Sequence, residues 1–189
     1  MILFIDTTQN GIAKDYNAHF SMYENFPDII RFSYLLTNNK GFIVEEGSFL
    51  INPENSISPL VKKITGISTN MLKEHACNFI KASQKIISLT EKASLIVGYN
   101  VKYDIKLLLA QLHKFDIANN IEDIHFIDLR EHSNNIFSTN KQFRSLESLY
   151  FSLFEKNIPL SESVEKLKYE KKCYFKLKYY KCSKNKSIF

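Results

Sequence analysis

The sequence of 189 residues has no tryptophan, few glycines and no long apolar run. No stretch approaches the roughly 18 consecutive apolar residues that a transmembrane helix needs. The opening run Met1–Ile5 meets Asp6 too early to form the core of a signal peptide. These absences predict a cytoplasmic protein with no membrane segment. Hydrophobic residues make up 44% of the chain, which is ample for the core of one domain.

Cysteine is also scarce, and its spacing is uninformative for metal binding. Cys77, Cys173 and Cys182 are odd in number, and no two of them form a Cys-x-x-Cys pair. This pattern argues against a zinc knuckle and against a disulfide framework. The five histidines are scattered, and the sequence has neither a glycine-rich phosphate loop nor a nucleophile elbow. Zinc proteins, P-loop proteins and serine hydrolases are therefore disfavoured.

Positive charge is concentrated at the C-terminal end. Residues 165–189 hold nine lysines and two glutamates, a net charge of +7, so the remainder carries −2 of the total of +5. Tyrosines interleave with these lysines, a pattern typical of surfaces that contact phosphates and stack on bases. The alternative is that the tyrosines pack inward and the lysines only solvate a helix. We predict one domain over residues 1–181 and a basic tail over residues 182–189.

The order of apolar segments predicts an α/β fold in which three antiparallel strands come first. The turn signal Asn38–Gly41 joins two of these strands as a hairpin. Helices and short strands then alternate. The predicted strands are Met1–Asp6, Ile29–Thr37, Phe42–Ile51, Ser94–Tyr99 and Ile124–Asp128. The predicted helices are Ser68–His75, Ala82–Leu89, Val101–Phe115, Ser145–Phe154 and Ser161–Tyr180.

Two aspartates stand at positions that invite a functional interpretation. Asp6 ends the first strand, and Asp104 lies in the first turn of the helix that follows Gly98-Tyr99-Asn100. Either aspartate alone has an ordinary explanation, because strand ends commonly carry acids and the helix dipole favours an acid in a first turn. The run from Leu95 to Asp104, however, resembles the second motif of the DEDD-type (DnaQ-like) 3′-to-5′ exonucleases, the family of the proofreading subunit of bacterial DNA polymerase III.

The resemblance extends over nearly the whole chain. Asp6-Thr7-Thr8 is similar to the first motif, Asp-x-Glu, with Thr8 in place of the glutamate. Thr65 stands where the family's His-Gly-Ile-Thr loop has histidine. Further matches are Phe26–Phe32, Ile64–Ser68, Phe126–Leu129 and Ser145–Tyr150. The resemblance implies a ribonuclease H-like exonuclease fold, with a central mixed sheet, three antiparallel strands first and helices on both faces.

The family's third motif, His-x-x-x-x-Asp, is missing. Aligning Lys172–Leu177 with the family's closing helical segment puts Ser161 at the histidine position and Lys166 at the aspartate position. Asp128 is the last aspartate and His132 the last histidine, so no such motif can be written further on. Glu162, Glu165 and Glu170 are the only acids of that last helix, and Glu165 is predicted to point away from the site because one residue turns a helix by about 100°.

These losses predict a site that no longer holds metal. The chemistry that the resemblance implies uses two divalent cations held by four carboxylates. Asp6 and Asp104 facing Lys166 would leave a net charge of only −1. We therefore expect no cofactor, and magnesium or manganese on Asp6 and Asp104 only if activity remains. We hypothesise that Lys166 bridges to Asp6 or Asp104 and replaces the metal's charge; an ordinary solvated lysine is the alternative.

The sequence therefore predicts a degenerate, catalytically inactive exonuclease-like domain that keeps a groove for single-stranded DNA or RNA, or for a protein partner. The predicted nucleic-acid contacts are Thr7, Ile67, Asn100, Lys171, Lys172 and Lys178. One alternative is a weakly active metal-dependent exonuclease in which Glu162 or Glu165 supplements the two aspartates. A second alternative is a structural or partner-docking subunit.

Overall fold

The structure is a computed structural model that describes residues 1–137, 143–159 and 163–184. Its centre is a mixed sheet of five strands in the order β3-β2-β1-β4-β5. Strand β1 pairs antiparallel with β2 and parallel with β4, and the β2–β3 pair is antiparallel whereas the β4–β5 pair is parallel. The strands are β1 (Ile2–Gln9), β2 (Ile29–Thr37), β3 (Ile43–Leu50), β4 (Leu95–Gly98) and β5 (His125–Asp128). The predicted sheet is confirmed.

The helices largely follow the sequence pattern, with two that the pattern did not predict. The helices are α1 (Pro59–Thr65), α2 (Thr69–His75), α3 (Phe79–Thr90), α4 (Val101–Lys114), α5 (Leu129–Phe137), α6 (Leu146–Phe154) and α7 (Val164–Lys184). Helix α1 escaped prediction because it buries none of its residues and so has no apolar period. Helix α5 buries only Leu129 and Ser133 and follows β5 directly.

Strand β1 is buried on both faces, which explains its unbroken apolar sequence. Successive side chains of a strand point to opposite faces, so Leu3 and Ile5 enter one core whereas Ile2 and Phe4 enter the other. The first core is covered by α3 and α4, and the second by α5, α6 and α7. The predicted placement of helices on both faces is therefore confirmed.

The C-terminal helix is longer than predicted. Helix α7 continues to Lys184, so the predicted boundary between residues 181 and 182 falls inside a helix. Residues 185–189 of the predicted tail lie outside the described residues. Within the described ranges, no helix has the length and apolar content needed to span a membrane.

Candidate functional site

Asp6 and Asp104 come together at one end of the parallel strand pair. Asp6 lies in β1, and Asp104 lies in the first turn of α4, which begins just after β4. Thr7 joins them, because its backbone N–H, at 3.1 Å, and its hydroxyl both donate to Oδ1 of Asp104. Both aspartates are buried. Parallel pairing of β1 with β4 thus places the two acidic motifs of the sequence side by side.

Glycine at position 98 is required by this close approach. A Cβ atom there would lie 2.9 Å from the carbonyl oxygen of Ile5 and 3.0 Å from the side chain of Val101. Such contacts are too short for any side chain to fit without displacing β1 or α4. The glycine of the second motif therefore lets α4 start directly over β1 and carry Asp104 to Asp6.

Burial changes the protonation of Asp104. Removal of water, followed by the neighbouring charge of Asp6, raises the pKa of Asp104 to about 8. The carboxyl is therefore mostly neutral at neutral pH, and its Oδ1 atom accepts the two hydrogen bonds from Thr7 in either state. The site then carries less negative charge than its two aspartates suggest.

Lys166 of α7 forms an ion pair with Asp6, with its Nζ donating to Oδ1. Of the two partners that the sequence left open, the structure selects Asp6. The lysine side chain is only 26% exposed, so it is not an ordinary solvated lysine. Burial alone would lower the pKa of Lys166, but the adjacent carboxylates, Asp6 foremost, outweigh that effect and raise the pKa. The ammonium group is therefore charged and fixed at the centre of the site.

Glu170 is a site residue that the sequence reasoning missed. It lies one helical turn after Lys166, with a carboxyl oxygen 3.9 Å from Nζ, and it is fully buried. Neither of its carboxyl oxygens has a hydrogen-bond partner among the described residues. Burial raises the pKa of Glu170 well above its usual range, which favours the neutral form of this carboxyl. The spacing of four residues from Lys166 was the only sequence signal for it.

The sequence suggested two further acids for the site, Glu165 and Glu162. Glu165 points away from the site, is half exposed and pairs with Lys168 at 3.6 Å. Glu162 and Ser161, the residue aligned with the family's histidine, lie outside the described residues. No acid of α7 other than Glu170 approaches Asp6 in the described part of the chain.

Thr8 contacts a second cation, the guanidinium group of Arg31. Thr8 lies opposite Arg31 in the register of β1 and β2. A terminal nitrogen of Arg31 donates to the Thr8 hydroxyl at 3.0 Å. A hydroxyl facing a guanidinium therefore stands where the resemblance leads one to expect a glutamate. The sequence reasoning treated Arg31 only as part of a strand and did not recognise this contact.

This set of side chains does not fit a pair of divalent cations. Among the described residues there is no group of three or more histidine, cysteine, aspartate or glutamate side chains arranged to hold a metal ion. The Asp6 carboxylate is paired with an ammonium group, and Asp104 is engaged by Thr7. Magnesium and manganese need several anionic oxygens, which this centre does not present.

Asp128 organises the start of α4 from the end of β5. Its carboxylate accepts from the backbone N–H groups of Asn100 at 3.2 Å, Lys102 at 3.3 Å and Arg130 at 3.0 Å. Asn100 itself adopts a left-handed conformation, with φ of 67°, and provides no side-chain cap. The free N–H groups at the start of α4 are therefore satisfied by an acid from β5.

Replacing Asp128 by alanine is expected to lower the free energy of unfolding by about 2 kcal/mol, because three partly buried N–H groups lose their acceptor. The melting temperature should then fall by about 4–8 °C. Asp123→Ala is the matched control, since Asp123 is exposed. Urea titration of both variants measures the difference; equal midpoints would show that the three N–H contacts do not stabilise the protein.

Two cavities flank the Asp6–Lys166 pair. One, of about 650 Å³, is lined on its outer side by Asn100, Lys102, Lys106, Arg130 and Arg144, and we call it the cationic cavity. The other, of about 640 Å³, is lined by Ile12, Arg31, Leu60, Val61 and Ile64, and we call it the apolar cavity. Asp6, Thr7, Gln9 and Lys166 line both. Together the two cavities form a groove that passes over the pair.

The structure places only some of the predicted nucleic-acid contacts in this groove. Thr7 and Asn100 line the cationic cavity. Ile67 does not line either cavity: it is 1% exposed and packs under α1 and α2 against Ile30, Ile57 and Leu72. Its prediction as a surface contact is wrong because the loop turns this side chain inward.

Lys171, Lys172 and Lys178 of α7 lie away from the groove. Lys171 donates to the carbonyl oxygen of Gly41 at 3.3 Å, and Lys172 lies over the Tyr169 ring at 5.2 Å. Lys178 is exposed, and none of these three lysines lines either cavity. Tyr174 packs inward against Phe4, in line with the alternative interpretation of the interleaved tyrosines. Nucleic-acid binding by these lysines stays a prediction about a separate surface.

Known proteins resemble this chain in sequence and in fold. The model of the exonuclease family (RNase_T, described as "Exonuclease") matches residues 21–159. The curated protein 3′-5′ exonuclease DinG of Bacillus subtilis (strain 168) is 29% identical over 137 residues, which are 72% of this chain and 13% of that protein. The chain therefore spans only a small part of the length of that relative.

Solved structures show the same fold at low sequence identity. Exonuclease X in complex with 5′ overhanging duplex DNA superimposes with a TM-score of 0.62 and 15% identity, covering 97% of this chain and 93% of that one. Escherichia coli exonuclease I in complex with a dA16 oligonucleotide gives 0.68 and 17%, covering 94% of this chain and 40% of that one. The family match leaves out β1 and α7, the two elements that carry Asp6, Thr8 and Lys166.

Proposed function

Because this chain belongs to the exonuclease family whose model covers residues 21–159, we propose that it is a catalytically inactive member that binds a single strand of nucleic acid in the groove. One observation carries the proposal: Lys166 forms an ion pair with Asp6 at the centre of the groove. The ammonium group stands where an active member needs metal-binding carboxylates.

The loss of hydrolysis follows from the charges at this centre. Two-metal hydrolysis requires cations that stabilise both the attacking and the leaving oxygen at phosphorus. Here Asp6 is neutralised by Lys166, and the Thr8 hydroxyl faces Arg31. His132 is the last histidine of the chain, and it precedes α6 and α7, so no histidine of the last helix can act as base. Each of these changes removes a separate requirement of the reaction.

Retention of a binding groove is supported by its lining. Tyr16 and Tyr103 lie side by side at the cationic cavity, with ring centroids 5.3 Å apart. Ile12, Leu60 and Ile64 expose apolar surface at the apolar cavity. Aromatic and apolar side chains beside cations are the combination that binds single strands without reading their sequence. The two solved neighbours named above are complexes with DNA.

The proposal is tested by the binding of a fluorescein-labelled oligothymidylate in the presence of EDTA, measured by anisotropy at rising salt. We expect binding that weakens with salt, since phosphates release counterions when cations contact them. Ile64→Asn should weaken binding about fivefold, an effect of about 1 kcal/mol from lost apolar contact.

The matched control is Ile80→Asn. Ile80 is 55% exposed on α3 and lines neither cavity, whereas Ile64 is 67% exposed on α1. Both variants remove the same apolar group from the surface, so they separate a groove effect from a general loss of stability. Absence of oligonucleotide binding by the wild type at low salt, or equal affinities of the two variants, would contradict the proposal.

A further inference from the structure

The cationic cavity has an excess of positive charge at its surface. Five cations line it, Lys102, Lys106, Arg130, Arg144 and Lys166, against only two acids, Asp6 and Asp104. Even with both acids ionised, the cavity therefore carries net positive charge. A site that operates through divalent cations needs the opposite sign, because its carboxylates must attract the metals.

The cations of the cavity differ in whether they already have a partner within the protein. Lys102 pairs with Glu131, and Lys106 donates to the carbonyl oxygen of Tyr16 at 2.8 Å. Arg130 and Arg144 are exposed and form no ion pair or hydrogen bond through their side chains within the described part of the chain. Their guanidinium groups are thus available to an external anion.

The distribution of arginine points the same way. The chain has 25 basic residues, and only Arg31, Arg130 and Arg144 among them are arginine. All three line the groove: Arg31 at the apolar cavity and the other two at the cationic cavity. Arginine differs from lysine because its planar fork binds two oxygens of one phosphate. The basic residues outside the groove are therefore all lysines, whereas the arginines all line the groove.

We infer that the cationic cavity binds the phosphate group of a nucleotide directly on Arg130 and Arg144, without a divalent cation. This inference rests on the proposed function and specifies how the groove holds its ligand. The volume of about 650 Å³ is within the range of small-molecule sites and can accommodate a nucleotide. The protein's own cations thus contact the phosphate that active enzymes of this type bind through metal ions.

The test compares the R130Q/R144Q double variant with the wild type in the oligothymidylate assay, in EDTA. We expect about a hundredfold weaker binding, because two charge-assisted contacts are lost and each is worth on the order of a factor of ten when well formed. The slope of log affinity against log salt should fall by about 1.4, since each lost phosphate contact removes about 0.7 for a single strand. The control is K63Q/K73Q, which removes two exposed charges that line neither cavity.

The R130K/R144K variant separates charge from the arginine fork. It should keep the salt slope of the wild type but lose part of the affinity, because lysine presents a point charge. Thymidine monophosphate as a competitor shows whether the phosphate group itself is recognised, with thymidine as the matched nucleoside. The monophosphate should compete and thymidine should not.

The outcomes distinguish this inference from the proposed function. Strand binding by the wild type with unchanged affinity and slope in R130Q/R144Q would overturn the inference and leave the proposed function standing. Binding that EDTA abolishes, or equal competition by thymidine and its monophosphate, would also overturn it. No binding of any strand would remove the proposed function as well. Circular dichroism of each variant establishes that the fold is retained.

Discussion

Replacement of Lys166 by methionine is expected to destabilise the protein by about 3 kcal/mol, because it leaves the buried carboxylate of Asp6 without a partner. Methionine keeps the length and apolar stem of the side chain, so the loss reports the charge and not a cavity. For a chain of this size the melting temperature should fall by about 6–12 °C. Thermal and urea unfolding at neutral pH measure the change.

Three further variants make this prediction specific. Lys168→Met on the same helix removes only exposed contacts with Glu46 and Glu165 and should change stability little. Glu170→Gln should also have a small effect, because burial raises the pKa of that carboxyl and so disfavours its charged form. The D6N/K166M double variant should recover part of the loss, since it removes the uncompensated charge.

The ion pair has a minor structural role if Lys166→Met and Lys168→Met unfold at the same urea concentration. A double variant no more stable than Lys166→Met would show that Asp6 is not the group left uncompensated. Either result would also count against the loss of hydrolysis, which requires the ammonium group of Lys166 to be fixed at the centre of the groove.

The second large effect is the absence of metal-dependent hydrolysis. Removal of a labelled 3′ nucleotide with magnesium or manganese should be at least about 10⁴-fold slower than for an active enzyme of this type, since the general base alone contributes about 10²–10⁴. Single-turnover assays of the wild type and Asp104→Ala should give the same background rate. Cleavage that Asp104→Ala abolishes would show that the domain is a weak enzyme.

Metal binding gives an independent measurement of the same site. Millimolar manganese should leave the melting temperature of the wild type unchanged. The T8E/R31Q/K166D variant supplies two carboxylates and removes the two cations that face Thr8 and Asp6. It should gain about 2.7 kcal/mol of stability when manganese is present at a hundred times its dissociation constant. A manganese shift in the wild type would contradict our account of the centre.

Much of the site was predictable because its residues belong to contiguous motifs. Gly98, Asn100 and Asp104 lie within seven residues, and the glycine, the left-handed Asn100 and the helix start determine one another locally. Asp6 was predictable because a buried strand ends near it. Arg31 was missed because its contact with Thr8 joins β2 to β1 across 23 residues of sequence. Glu170 was missed although it lies four residues from Lys166, because its burial beside the Asp6–Lys166 pair depends on how α7 packs. Ile67 was misplaced for the same reason: exposure depends on how a loop packs.

The sequence by itself determined the α/β fold and the absence of any aspartate or histidine after His132, because element order and residue identity are properties of the chain alone. Only the tertiary structure decided which aspartate Lys166 contacts, that the neighbouring Glu170 is fully buried, and that all three arginines line one groove. Protonation and pairing depend on distance and burial, and these are fixed only when α7 packs across the sheet.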